Sequence, residues 1–314
     1  LSIFAESGAN ILTINQSIPT NGCAAVTISA ETSEMQESIE EMMATATALE
    51  GVVRFDILAA WDTASHLPSY DGLAAAAKVA CRSIFLLEVV QMSLIVQKFG
   101  GSSVRDTERL LRMAHIARER RAEGNDVVVV LSAQGDTTDT LLKKALELTP
   151  SPDGRELDAL LASGEQVSAA LGALALQTLG VDAVSLSAWQ VPIETDGAHG
   201  DAQIEMIDTA RIRRELDAGR VAVVTGFQGI DERGDITTLG RGGSDTSAVA
   251  LAAALRADEL IIYTDVDGIF SSDPRVCPDA VRRERISYDD MLLLAQKGAQ
   301  VLHDRSVALA QQSG

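Results

Sequence analysis

The sequence is poor in cysteine, histidine, basic residues and long apolar runs. Its three cysteines, Cys23, Cys81 and Cys277, are odd in number and far apart, and no C-x-x-C occurs. That pattern supports neither a disulfide framework nor a zinc site. It fits buried or idle thiols in a reducing cytoplasm. The four histidines (His66, His115, His199, His303) are scattered and are expected to be structural or surface groups. Lysine and arginine total 26 against 45 acids, giving a net charge of −19. This argues against coating nucleic acid, which needs a basic surface. A small anionic ligand needs only a local positive pocket. No uncharged apolar run reaches the ~18 residues of a membrane helix. The longest, 83–96, is broken by Glu88 and Gln91, so no membrane partner is expected. No secretory signal opens the chain. It begins at Leu1 rather than Met, which points to a fragment with a missing N-terminus.

What is present is ordinary globular material, 46% hydrophobic and 23% charged. A length of 314 residues, at roughly 150 per domain, predicts about two domains. Residues 1–60 alternate short helix and strand signals. A period-2 strand is predicted at 10–18, further strands at 23–30 and 52–59, a hairpin turn at 19–22, and an acidic helix at 33–49. The order helix-strand-strand-helix-strand is a β-α-β-β-α-β unit lacking its first strand. Residues 61–91 fit neither neighbour. They are expected to be a linker with one helix or, preferred slightly, translated intergenic sequence, since Met92 begins a fresh domain as a start codon would.

Residues 92–314 read as a large α/β domain. Continuous apolar runs predict strands at 94–98, 126–132, 182–185, 220–225 and 259–264, covered on both faces. Helices are predicted between them, at 106–122, 138–148, 155–179, 209–217, 245–255 and 288–297. The alternation implies a three-layer sandwich around a mostly parallel sheet, with ligands at the carboxyl ends of the strands.

Three motifs carry chemistry. Lys98-Phe99-Gly100-Gly101-Ser102-Ser103 follows a strand and opens a helix. Adjacent glycines let amides approach a phosphate, the helix start adds positive potential, and Lys98 adds a full charge. It is not a Walker A loop, and the bland reading is a turn. Thr238-Leu239-Gly240-Arg241-Gly242-Gly243-Ser244-Asp245 sets one arginine among three glycines. Arg241 suits a two-pronged grip on a carboxylate, while Ser244 or Asp245 alone would be a helix cap. Tyr263-Thr264-Asp265-Val266-Asp267-Gly268-Ile269-Phe270-Ser271-Ser272-Asp273-Pro274-Arg275 leaves a buried strand and turns. It lacks the rest of a calcium-loop spacing.

In this order, VQKFGGSSV at 96–104, VVVVLSAQGDTTD at 127–139, LLASGEQVSAAL at 160–171, GFQG at 226–229, TLGRGGSDTSAVALAAAL at 238–255 and YTDVDGIFSSDPR at 263–275 resemble the aspartokinases of the amino acid kinase family. The first 60 residues resemble a partial ACT domain, a ferredoxin-like α+β module that binds amino acids or pairs with another copy. The resemblance implies transfer of the γ-phosphate of ATP, with Mg²⁺ carried by the nucleotide, to the side-chain carboxylate of L-aspartate. That is the first step towards lysine, threonine and methionine. It also implies a cytoplasmic homo-oligomer.

Carried over by position, Lys98 stabilises the phosphoryl group in flight, and Asp245 orients that lysine. Gly100, Gly101 and Ser102 cradle phosphate. Thr138, Glu165, Arg241 and Ser244 hold aspartate, with Glu165 suited to the ammonium and Arg241 to the α-carboxylate. Tyr263, Thr264, Ile269, Phe270, Ser271, Ser272, Asp273 and Pro274 belong to the nucleotide site. Two departures stand out. Gln300 replaces a lysine that reaches ATP in many relatives, with Lys297 a possible substitute one turn earlier. The two C-terminal ACT domains of many aspartokinases are missing, so the kinase domain is expected to be C-terminally truncated. The alternatives are another member of the amino acid kinase family, or a non-catalytic ACT-type amino-acid sensor with a degenerate kinase domain.

Overall fold

Apolar–polar alternation along the first strands produces a small antiparallel sheet. The computed structural model describes all residues except 1–3, 5, 8, 17–22, 32–34, 36–37, 49–51, 63–80, 91–92, 278, 300 and 314. It divides the chain into two units, Leu1–Met92 and Ser93–Gly314. In the first, β1 (Asn10–Gln16) and β2 (Cys23–Glu31) pair antiparallel. Helix α1 (Ile39–Thr47) starts from a reciprocal cap: Ser38 Oγ accepts the Glu41 N–H at 3.2 Å, and the Glu41 carboxylate accepts the Ser38 N–H at 3.0 Å. Strands β3 (Val52–Asp62) and β4 (Cys81–Val90) follow.

The strand order is β1-β2-β4-β3, with every neighbouring pair antiparallel. Strands β2 and β3, joined through α1, are therefore parallel to each other, with β4 inserted between them. Phe4, Ile28, Ala30, Met42 and Ala46 form the buried core of this unit. Within the stretch 61–91, expected as linker or intergenic sequence, Cys81–Val90 forms β4, an inner strand of this sheet. Its partners lie far back in the chain, so local periodicity did not mark it. The predicted turn at 19–22 lies outside the described residues.

The second unit opens with β5 (Leu94–Phe99), α2 (Thr107–Ala122), β6 (Asp126–Leu131), α3 (Thr137–Leu148) and α4 (Gly154–Thr178). It continues with β7 (Ala183–Leu186), β8 (Ile193–Thr195), β9 (Ile204–Ile207), α5 (Ala210–Asp217) and β10 (Val221–Thr225). It ends with β11 (Gln228–Ile230), β12 (Ile236–Thr238), α6 (Gly243–Leu255), β13 (Glu259–Tyr263), α7 (Tyr288–Gln296) and α8 (Asp304–Ser313). The main sheet runs β13-β5-β6-β10-β7 and is parallel throughout.

Period 2 divides its strands between two cores. Val127, Val129, Leu131, Val221 and Val223 face α2 and α4, whereas Val128, Val130, Ala222 and Val224 face α5 and α6. The expected parallel α/β sandwich is present, with its five strands and six helices placed within two residues at each end. A second sheet, β12-β11-β8-β9, and helix α8 were not anticipated. Strands of three or four residues are too short to show a period. Helix α4 is long and apolar enough to cross a membrane, but over half of its most apolar window is buried within the protein, as its place on the sheet requires.

Candidate active site

The carboxyl ends of β5, β6 and β10, together with the start of α6, converge on one region. Lys98 is the next-to-last residue of β5 and is only 8% exposed. Its Nζ meets Asp245 Oδ1 at 2.5 Å, so two motifs far apart in the sequence join in a nearly buried ion pair. After Phe99 the chain turns at Gly100, whose N–H donates to the Tyr263 carbonyl at 3.4 Å. A single 3-10 turn, Gly101–Ser103, follows. A Cβ on Gly100 would stand 3.6 Å from Lys98 Nζ, and one on Gly101 would lie 2.6 Å from the Ala133 carbonyl oxygen. Only glycine fits at Gly101, and the backbone beside Lys98 is left bare. Arg109 of α2 fixes the turn by donating to the Ser102 carbonyl at 3.1 Å.

The segment after β6 ties this turn to α4. Glu165 is 3% exposed and accepts the Ala133 N–H on Oε1 at 2.9 Å. Its other oxygen, Oε2, is buried without a partner among the described residues. Burial pushes the carboxyl up to about 7, and the Ala133 amide offsets part of that rise. An unpaired, nearly buried carboxylate oxygen is a ready acceptor for a cation. Thr138 is half-buried in the first turn of α3, and the methyl of its neighbour Thr137 packs on Gly164.

The glycine-rich motif forms the turn from β12 into α6. Its N-cap is Gly242, at φ +70°, with no side-chain cap. Ser244 and Asp245 therefore do not serve as the cap that was the bland reading. Asp245 is committed to Lys98 instead, and the positive end of α6 carries no neutralising side-chain cap. Arg241 is exposed and makes no side-chain hydrogen bond or ion pair with the described residues. Ser244 abuts Gly226, where a Cβ would meet Ser244 Cβ and Oγ at 2.9 Å. This brings the end of β10 against the start of α6.

The expected nucleotide segment is less unified. The Tyr263 ring stacks on Phe99 with centroids 4.4 Å apart, and its hydroxyl accepts from Gln97 Nε2 at 3.2 Å. Burial raises its pKa. Only the Tyr263 carbonyl reaches the Gly100 turn. Beyond β13, Ile269, Phe270 and Ser271 pair with residues 281–283 in a hairpin: Arg283 N–H donates to Ile269 O and Ser271 N–H to Val281 O. Thr264 and Ser271–Pro274 are exposed. Asp273 is clasped by Arg275 at 2.8 Å, a bond that lowers its pKa. Ile269 faces a cavity of about 580 Å³ shared with Ile262, Tyr288, Met291 and Val307, which none of Lys98, Arg241 and Asp245 lines. Gln300 lies outside the described residues, and Lys297 is exposed at the end of α7.

Sequence reasoning missed four neighbours. Phe227, at φ +70°, donates its N–H to Ser247 Oγ and accepts the Leu239 N–H, so a strained residue anchors the Arg241 turn. Its place between two glycines in GFQG was the available signal. Asp158, Asp201 and Arg305 surround the same turn. Asp158 in the apolar face of α4 carried a faint signal, and the other two carried none.

The family model for the amino acid kinase family matches residues 93–314, which is the second unit. An aspartokinase of Geobacillus stearothermophilus is 55% identical over 219 residues, covering 70% of this chain and 54% of that protein. Aspartokinase 2 of Bacillus subtilis strain 168 is 52% identical over 219 residues, with the same shares. The chain thus spans about half the length of these curated relatives. Among solved structures, aspartate kinase from Synechocystis shares 47% identity at TM-score 0.64, covering 71% of this chain and 36% of that one. E. coli aspartokinase III in complex with aspartate and ADP shares 28% identity at TM-score 0.62, covering 70% and 60%.

Proposed function

Because the chain belongs to the amino acid kinase family, we propose that it is an aspartate kinase. The side-chain carboxylate of L-aspartate attacks the γ-phosphorus of ATP. The bond to the β,γ-bridging oxygen breaks, and 4-phospho-L-aspartate and ADP leave. The observation that carries this reading is the nearly buried Lys98–Asp245 pair at the Gly100–Gly101 turn, with Arg241, four residues along the chain from Asp245, free of side-chain partners among the described residues.

The substrates fit the chemistry of these groups. A carboxylate with a pKa of about 4 is ionised at neutral pH and needs no base. The obstacle is repulsion between it and the nucleotide phosphates. One unit-charge pair at 4 Å is worth about 4 kcal/mol at an effective dielectric of 20. The protein must therefore supply positive charge and alignment. Lys98, held by Asp245, faces the transferring phosphoryl group. The bare backbone of Gly100, Gly101 and Ser102 receives phosphate oxygens. Arg241 grips the α-carboxylate, and Glu165 Oε2 takes the ammonium, with Thr138 and Ser244 beside the bound amino acid. The hairpin from Ile269 to Pro274 flanks the nucleotide. Mg²⁺ carried by ATP supplies further neutralisation when bound. In the first unit, the parallel pair β2 and β3 with β4 between them supports an ACT-like module.

The test is ATP-dependent ADP release by the full chain with aspartate, glutamate, acetylglutamate and a nucleoside monophosphate as acceptors, with hydroxamate trapping for the carboxylates. Aspartate alone should release ADP and yield hydroxamate. Turnover with another acceptor and none with aspartate would sink the substrate assignment but keep the family.

A further inference from the structure

The best-connected buried acid in the second unit has no place in the reaction just described. Asp158, on α4, is 1% exposed. Its Oδ1 accepts the Thr238 hydroxyl at 2.7 Å. Its Oδ2 accepts the Thr238 N–H at 2.9 Å, the Gly200 N–H at 3.0 Å and the His199 Nδ1–H at 3.0 Å. An acid buried this deeply would be costly without such partners. All four bonds converge on two segments. Thr238 ends β12, three residues before Arg241. Gly200 lies under the same turn, since a Cβ on Gly240 would stand 3.0 Å from the Gly200 carbonyl oxygen and from Asp201 Oδ1. The Ala202 N–H closes the link by donating to the Thr238 carbonyl at 2.9 Å.

The opposite side of the turn is held from α8. Arg305 donates through Nη1 to the Leu239 carbonyl at 2.9 Å and through Nη2 to Asp201 Oδ1 at 2.6 Å. Leu239 and Gly240 thus sit between two charged clamps, while Arg241 itself has no side-chain partner among the described residues. The backbone that carries its guanidinium is the one these clamps hold. We propose that Asp158 is a positioning residue that aims Arg241 at the substrate α-carboxylate, with Arg305 as its counterpart. This rests on the reading of Arg241 as the aspartate grip. It assigns to Asp158 control of amino-acid affinity, separate from the phosphoryl step that Lys98 serves.

The test uses the full chain and three variants: Asp158→Asn, Thr238→Val and Thr238→Ser. Valine keeps the shape of threonine but removes the hydroxyl bond to Oδ1, and serine restores it. Misplacing a binding group by about 1 Å costs between about tenfold and a hundredfold. The aspartate KM should rise by that range in Asp158→Asn and Thr238→Val. The KM for ATP should stay within about twofold, and Thr238→Ser should return the aspartate KM towards the parent. Should Asp158→Asn fail to fold, Thr238→Val carries the test, because it leaves the carboxylate its backbone partners. An aspartate KM unchanged in folded Thr238→Val, or a parallel rise in both KM values without rescue by serine, overturns the positioning role. A parent chain without aspartate-dependent turnover overturns the functional reading and this inference with it.

Discussion

Replacing Glu165 by glutamine should make the protein more stable at alkaline pH and worse at holding aspartate. Burial of the carboxyl, against partial relief from the Ala133 amide, raises it from 4.5 to about 7. At about 1.4 kcal/mol per pH unit, the ionised form costs the folded protein about 3 kcal/mol. Below pH 4.5 the group is protonated both folded and unfolded, so the penalty is absent. Between 4.5 and about 7 the unfolded chain ionises while the folded one resists, and the penalty grows. Above about 7 it is complete. Glutamine can still accept the Ala133 N–H and never ionises. The Glu165→Gln variant should therefore match the parent near pH 4.5 and exceed it by up to about 3 kcal/mol at pH 8, read from urea midpoints across that range. Saturating aspartate should narrow the gap at pH 8 by placing an ammonium beside Oε2. A stability difference that does not change with pH would refute the argument.

Other consequences are independent of that carboxyl. Lys98→Ala should lower kcat by about 10²–10³ and leave Asp245 unpaired, with the fold retained by circular dichroism; near-parent turnover would refute its role. Arg241→Ala should raise the aspartate KM by about tenfold or more with little change in kcat, and an unchanged KM counts against the grip. Gly101→Ala would press a Cβ into the Ala133 carbonyl, so ATP-dependent turnover should collapse, and parent-level turnover would contradict that clash. Gly242→Ala should lower stability by about 1–2 kcal/mol from its left-handed backbone alone, and by more because His303 occupies the space. An unchanged melting temperature would contradict that packing.

The parallel sheet was legible because burial on both faces leaves an uninterrupted apolar run such as Val127–Val130, which local sequence displays. Strands β8, β11 and β12 were not, since three residues carry no period. β4 was not legible for a different reason. Its strand character depends on β2 and β3 lying on either side of it, and those partners are remote in sequence. At the site, glycines and charges signalled themselves: Gly101 because nothing larger fits, and Arg241 because an arginine among glycines has no packing purpose. Asp158 and Arg305 gave no comparable sign. An aspartate in a helix and an arginine near the end of the chain are ordinary until the turn they hold is seen.

The sequence by itself settled which groups exist: one lysine at the end of a buried strand, one arginine in a glycine-rich turn, an acid at a helix start, and the alternation that makes a layered α/β unit. Only the tertiary structure decided what each group does. It turned Asp245 from a cap into the partner of Lys98, drew Tyr263 into the sheet face, and gave Asp158 four donors. Those outcomes depend on distances between segments far apart in the chain, and the electrostatic and packing terms that fix them have no local trace.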